Sequence, residues 1–170
     1  MKVFFFDRDG VINEDIGYLH EVEKTNFIKG VFDLVRYLKS INYEIIIVTN
    51  QSGISRGFYS ESDFKLFNDW MMQEFKKNNA DILDVFYCPH GPKENCYCRK
   101  PNPGLFLEAV DKYKIDVQKS WAIGDNERDI NAANNAGINN TILFGDQKYN
   151  HQTDATYILK SLSDIKKLVK

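Results

Sequence analysis

Apolar residues in this chain fall into short continuous runs separated by stretches with helical spacing. Val3–Phe6, Glu44–Thr49, Val85–Cys88 and Trp121–Gly124 read as buried strands, with further candidates at Thr141–Phe144 and Thr156–Leu159. Between them, Val31, Leu34, Val35 and Leu38 recur at helical spacing after Gly30. Phe64, Phe67, Met71 and Phe75 do the same after Ser60 and Ser62, residues that suit a helix start. Leu105, Phe106, Ala109 and Val110 follow Pro103, and Ile130, Ala133 and Ala136 lead into Gly137, a helix stop. Leu162 to Val169 reads as a closing helix. Strands alternating with helices predict an α/β fold built on a doubly wound, mainly parallel sheet. No repeat or linker breaks the pattern, so residues 1–170 read as one domain.

Four polar clusters sit at or just beyond predicted strand ends, where sheets of this kind gather their sites. They are Asp7-Arg8-Asp9-Gly10, Thr49-Asn50-Gln51, Arg99-Lys100-Pro101 and Gly124-Asp125, with Asp129 four residues on. Asp-x-Asp-Gly is also good turn chemistry and resembles the start of a calcium loop. Such a loop needs a glutamate at its end, where Tyr18 stands, and a helix before it, where this chain has a strand. Phosphoryl transfer is mainly positioning and charge neutralisation. Asp7 is placed to attack phosphorus as nucleophile, and Asp9 to act as general acid and then base. Magnesium, a hard cation, would draw on Asp7, Asp125 and the backbone carbonyl of Asp9. The Thr49 hydroxyl and Lys100 ammonium would hold the phosphoryl oxygens. Asp129 reads as facing solvent.

Cys88-Pro89-His90 and Cys96-Tyr97-Cys98 together give Cys-x-His-x5-Cys-x-Cys. Three thiolates and an imidazole make a closed tetrahedral zinc set of the structural type, leading directly into Arg99 and Lys100. His20 and His151 have no such company and read as surface or core histidines.

Composition removes some function classes. Of the residues, 43% are hydrophobic and 27% charged, and the net charge is -2. That balance lacks the basic stripe of a nucleic-acid binder, which weighs against a polynucleotide phosphatase. No apolar run reaches the roughly 20 residues of a membrane span, and no signal peptide is visible, so the expected location is cytoplasmic.

The ordered set Asp7-Arg8-Asp9-Gly10, Thr49-Asn50, Lys100 and Gly124-Asp125 resembles the haloacid dehalogenase superfamily of aspartate-nucleophile phosphatases across nearly the whole chain. The resemblance implies a Rossmannoid sheet, and the second aspartate marks the phosphatase branch. The zinc loop narrows it to a branch with no large cap domain. Two families there are similar: D-glycero-D-manno-heptose-1,7-bisphosphate 7-phosphatases and histidinol-phosphate phosphatases. Gly17-Tyr18-Leu19-His20-Glu21 and Thr49-Asn50-Gln51-Ser52-Gly53-Ile54-Ser55-Arg56-Gly57 look like the heptose enzymes. The short spacer between His90 and Cys96 looks like the histidinol-phosphate type. By resemblance, Asp15, Ile16, Gly17, Tyr18, Asn50, Gln51, Ser52 and Arg99 contact substrate, in a pathway to nucleotide-activated heptose for surface polysaccharide. A sugar bisphosphate has a second dianion, which Arg99 can grip in a bidentate way with help from Arg56. Asn126 stands where the family often carries a base; it can hydrogen-bond a phosphate without neutralising it. A catalytically silent binding module is the alternative of another class, but such relatives usually lose the nucleophile or the magnesium aspartate. A monomer acting on a small sugar phosphate is the expectation.

Overall fold

The computed structural model describes residues 1–146 and 152–170, so His151 lies outside the described residues. Six strands form one sheet: β1 (Val3–Phe6), β2 (Glu44–Asn50), β3 (Asp84–Cys88), β4 (Trp121–Gly124), β5 (Asn140–Phe144) and β6 (Tyr157–Leu159). Their spatial order is β3-β2-β1-β4-β5-β6, and every pairing is parallel. The expected mainly parallel sheet is therefore wholly parallel among the described residues. The chain winds outward from β1 to β3, then crosses to β4 on the other side of β1. That reversal makes the β1/β4 crevice the switch point of the sheet.

The helices are α1 (Val31–Ser40), α2 (Glu61–Lys77), α3 (Gly104–Tyr113), α4 (Glu127–Asn135) and a single-turn α5 (Ile165–Leu168). Alternate side chains of the inner strands feed two cores, as the two-residue period of a strand requires. Phe4, Phe6, Ile45 and Ile47 pack with Leu34 and Leu38 of α1, Phe67, Met71 and Phe75 of α2, and Ile165 of α5. Val3, Phe5, Ile46 and Val48 pack on the other face with Leu105, Phe106 and Ala109 of α3 and Ala132 and Ala133 of α4. Ser60 caps α2 through a reciprocal bond with Asp63.

Two details differ from the sequence pattern. The closing segment is a 3-10 turn (Leu162–Asp164), capped by Ser161, whose side chain accepts from the Ser163 N–H, followed by α5. Leu162, Ile165 and Val169 still bury, which is what gave the segment its helical appearance. The second concerns Asp129, which is 4% exposed and therefore does not face solvent. It lies in the first turn of α4 against Lys100.

Candidate active site

Asp7 follows β1 directly, and its N–H donates to the Ile123 carbonyl of β4 at 2.9 Å, fixing it on the switch point. Asp125 follows β4. Two glycines allow the carboxylates to close up. Gly10 has φ 85°, and a Cβ there would lie 2.1 Å from Asp125 Oδ2. A Cβ on Gly124 would lie 2.2 Å from the Asp129 Cβ. Oxygens of Asp7, Asp125 and Asp129 can all lie within 4.8 Å of one another.

Lys100 lies between two of these acids. Its Nζ is 2.9 Å from Asp7 Oδ1, 2.7 Å from Asp129 Oδ1 and 2.8 Å from the Val48 carbonyl. Burial works against its charge, but Asp129 and Asp7 outweigh it and hold the ammonium above its ordinary range. Asn50 fixes the backbone of Lys100 from both sides: its amide donates to the Lys100 carbonyl at 3.1 Å, and its oxygen accepts from the Lys100 N–H at 3.0 Å.

One ammonium does not neutralise three carboxylates in a buried place. Burial, then the Asp129 charge, pushes Asp7 up to about 7. Burial and Asp129 likewise push Asp125 up to about 6. A set of hard oxygen donors with surplus negative charge fits magnesium.

Asp9 points along a separate network. The Arg8 guanidinium donates to both its oxygens, at 3.1 and 3.0 Å, and also to the Leu19 carbonyl at 2.8 Å. Asn13 donates to Asp9 Oδ1 at 2.9 Å and Gln51 to Asp9 Oδ2 at 3.2 Å. Gln51 also donates to the Thr49 hydroxyl at 2.8 Å and accepts from the Tyr59 hydroxyl at 2.6 Å. Arg8 is buried on the Phe67 ring, 5.2 Å from its centroid. Such a network holds a carboxyl in one orientation, as an acid that must meet a leaving oxygen requires.

Cys88, His90, Cys96 and Cys98 converge at the end of β3. The sulfurs of Cys88 and Cys98 each lie 3.6 Å from that of Cys96, and His90 Nδ1 lies 3.2 Å from the Cys98 sulfur. Thiolates bound at about 2.3 Å to a tetrahedral centre would be about 3.8 Å apart. Burial raises the Cys96 thiol, but the Arg99 N–H and the neighbouring sulfurs outweigh it and bring the thiol down to about 7. Arg99 donates to the His90 carbonyl at 3.1 Å, which ties the loop to the residues beside the site.

Beside Asp9 lies a cavity of about 440 Å³. Of the residues expected to meet substrate, Asp15, Gly17, Tyr18, Asn50, Gln51, Ser52, Arg56 and Arg99 line it. Ile16 is exposed outside that lining. Asn126 also stands apart, because its side-chain oxygen accepts from the Arg128 N–H to cap α4. His20, read as an ordinary histidine, donates to the Tyr18 carbonyl at 2.8 Å and stacks on Tyr59. The roles of Arg8, Asn13, Tyr59 and Arg128 and the burial of Asp129 do not show in the sequence pattern, save for one signal of the last: Asn126-x-x-Asp129 has the spacing of a capping box.

A switch-point cluster of carboxylates around a buried lysine, on this sheet, defines a phosphoric monoester hydrolase of the haloacid-dehalogenase type. The HAD-hydrolase-like family model matches residues 97–165. The D-glycero-alpha-D-manno-heptose-1,7-bisphosphate 7-phosphatase of Campylobacter jejuni subsp. jejuni is 46% identical over 86% of this chain and 84% of its own. The D-glycero-beta-D-manno-heptose-1,7-bisphosphate 7-phosphatase of Pasteurella multocida is 38% identical over 99% of this chain and 97% of its own. A crystal structure of the D,D-heptose 1,7-bisphosphate phosphatase of B. bronchiseptica, complexed with magnesium and phosphate, superposes with a TM-score of 0.88 at 27% identity, covering 99% of this chain and 97% of that one. The chain belongs to the heptose-1,7-bisphosphate 7-phosphatase family of haloacid-dehalogenase-like hydrolases.

Proposed function

We propose that this enzyme removes the 7-phosphate from D-glycero-D-manno-heptose 1,7-bisphosphate. The observation that carries the reading is the pairing of adjacent Arg99 and Lys100. Lys100 reaches Asp7 at the reacting centre, while Arg99 lines the cavity beyond it, so one short loop addresses two anions. Relatives of both anomeric specificities support the same substrate class.

Asp7 attacks phosphorus in line, forming a P–O bond to its own carboxylate while the bond to the sugar oxygen breaks. Asp9, oriented by Arg8, Asn13 and Gln51, gives its proton to the leaving alkoxide. It then takes a proton from water as that water attacks the aspartyl-phosphate. Inorganic phosphate leaves and Asp7 is restored. Lys100 and the Thr49 hydroxyl hold the phosphoryl oxygens, and Asp129 holds Lys100 in place. Asp7, Asp125 and the backbone carbonyl of Asp9 would hold magnesium, which would supply the charge that lets an anionic nucleophile approach an anionic ester. Cys88, His90, Cys96 and Cys98 would hold zinc, which would shape the loop that presents Arg99 and Lys100.

Phosphorus NMR of the reaction tests this. The heptose 1-phosphate signal is expected to remain while the 7-phosphate signal converts to inorganic phosphate. Loss of the 1-phosphate first, or undiminished turnover by a folded Asp7→Asn variant, overturns it.

A further inference from the structure

Arg128 carries an exposed guanidinium that none of the chemistry above uses. It lies in the first turn of α4 and lines the same cavity as Arg56 and Arg99. With Arg99 it also lines a second depression of about 320 Å³, walled by Gly91, Pro92, Asn95 and Cys96 of the zinc loop. Among the described residues none of the three guanidiniums has a carboxylate ion-pair partner. Arg56 lies over the Tyr18 ring, 5.7 Å from its centroid, and Arg99 donates to a backbone carbonyl. Of the cavity's own acids, Asp9 is held by Arg8, Asn13 and Gln51, and one oxygen of Asp15 accepts from the Gly17 N–H at 3.0 Å. The Arg128 charge is felt at Asp125 without forming an ion pair.

Three like charges around one cavity repel each other unless an anion joins them, and guanidinium forks match phosphate oxygens two at a time. Asn126 lines neither cavity, and its side-chain oxygen caps the helix that carries Arg128. We propose that Arg128 is a specificity-determining residue, which with Arg99 and Arg56 holds the phosphate that is not cleaved. This rests on the bisphosphate reading above.

The test is kinetic, on Arg128→Gln and Arg128→Lys at saturating magnesium. The readout is kcat/KM for the heptose 1,7-bisphosphate divided by kcat/KM for heptose 7-phosphate. Loss of one exposed charge-assisted contact predicts a roughly tenfold fall in that ratio for Arg128→Gln, mostly through KM. Arg128→Lys is expected to recover part of it. A ratio within twofold of wild type overturns the proposal, as does an equal loss on both substrates, which would mean that Arg128 acts through the fold. If wild type hydrolyses neither heptose substrate, the substrate reading fails and Arg128 is judged separately. A hexose 1,6-bisphosphate and a hexose 6-phosphate are then compared as inhibitors of aryl phosphate hydrolysis. A tenfold loss of bisphosphate preference in Arg128→Gln supports the role, and an unchanged preference refutes it.

Discussion

Magnesium should stabilise this protein in neutral and alkaline solution far more than in acid. In the folded protein Asp7 is raised from 3.8 to about 7 by burial and by Asp129. That displacement corresponds to about 4 kcal/mol between its protonated and ionised forms. A raised folded pKa means that the native state keeps a proton which the unfolded chain has released. Without magnesium this group therefore favours the fold most below about pH 4, and its contribution falls as pH rises towards 7. At pH 5 only about one Asp7 in a hundred is ionised, and Asp125, raised to about 6, is mostly protonated too, so magnesium must displace protons and its affinity drops at least about a hundredfold. Magnesium at a hundred times its Kd at pH 8 adds about 2.7 kcal/mol. At 2–4 °C per kcal/mol that is a rise in Tm of roughly 5–10 °C. The same concentration at pH 5 adds at most about 0.4 kcal/mol and roughly 1 °C. The assay is thermal unfolding of protein desalted without chelator, so that the cysteine site keeps its metal content, with and without magnesium at both pH values. A magnesium shift at pH 5 as large as that at pH 8, or no shift at either, would refute the reasoning.

Asp129→Asn leaves Lys100 with one carboxylate partner in place of two, and is expected to lower kcat roughly 100-fold through misplacement of Lys100. Steady-state kinetics on the folded variant check this, and a kcat within threefold of wild type contradicts it. Gly10→Ala places a methyl group where Asp125 Oδ2 lies, at a left-handed backbone position. It should raise the magnesium concentration for half-maximal activity at least tenfold and cost about 1–2 kcal/mol of stability. Metal analysis should find about one zinc per chain. Cys96→Ser should lose that zinc and lower kcat/KM, because Arg99 and Lys100 follow directly; full activity without zinc would remove the loop's positioning role.

The inner strands could be read in the sequence because each is apolar at successive positions, and both faces of β1 and β2 are covered by helices. The candidate carboxylates were equally visible, since Asp7 and Asp125 stand directly after such a run and Asp9 three residues beyond one. The fate of Asp129 was not. A buried carboxylate looks like an exposed one until its partner is known, and Lys100 lies 29 residues away in sequence. The same holds for Arg8 and Asn13, whose bonds to Asp9 follow from a turn closed by the Gly10 N–H bonding to the Asn13 carbonyl at 2.7 Å. The closing segment misled for a different reason. Leu162, Ile165 and Val169 mark one buried face but do not say how many turns carry it.

The most direct test of the central claim is the rate of phosphate release with magnesium, comparing both anomers of heptose 1,7-bisphosphate with histidinol phosphate. The account predicts a kcat/KM at least a hundredfold higher for one heptose anomer than for histidinol phosphate. An equal or higher value for histidinol phosphate would contradict it.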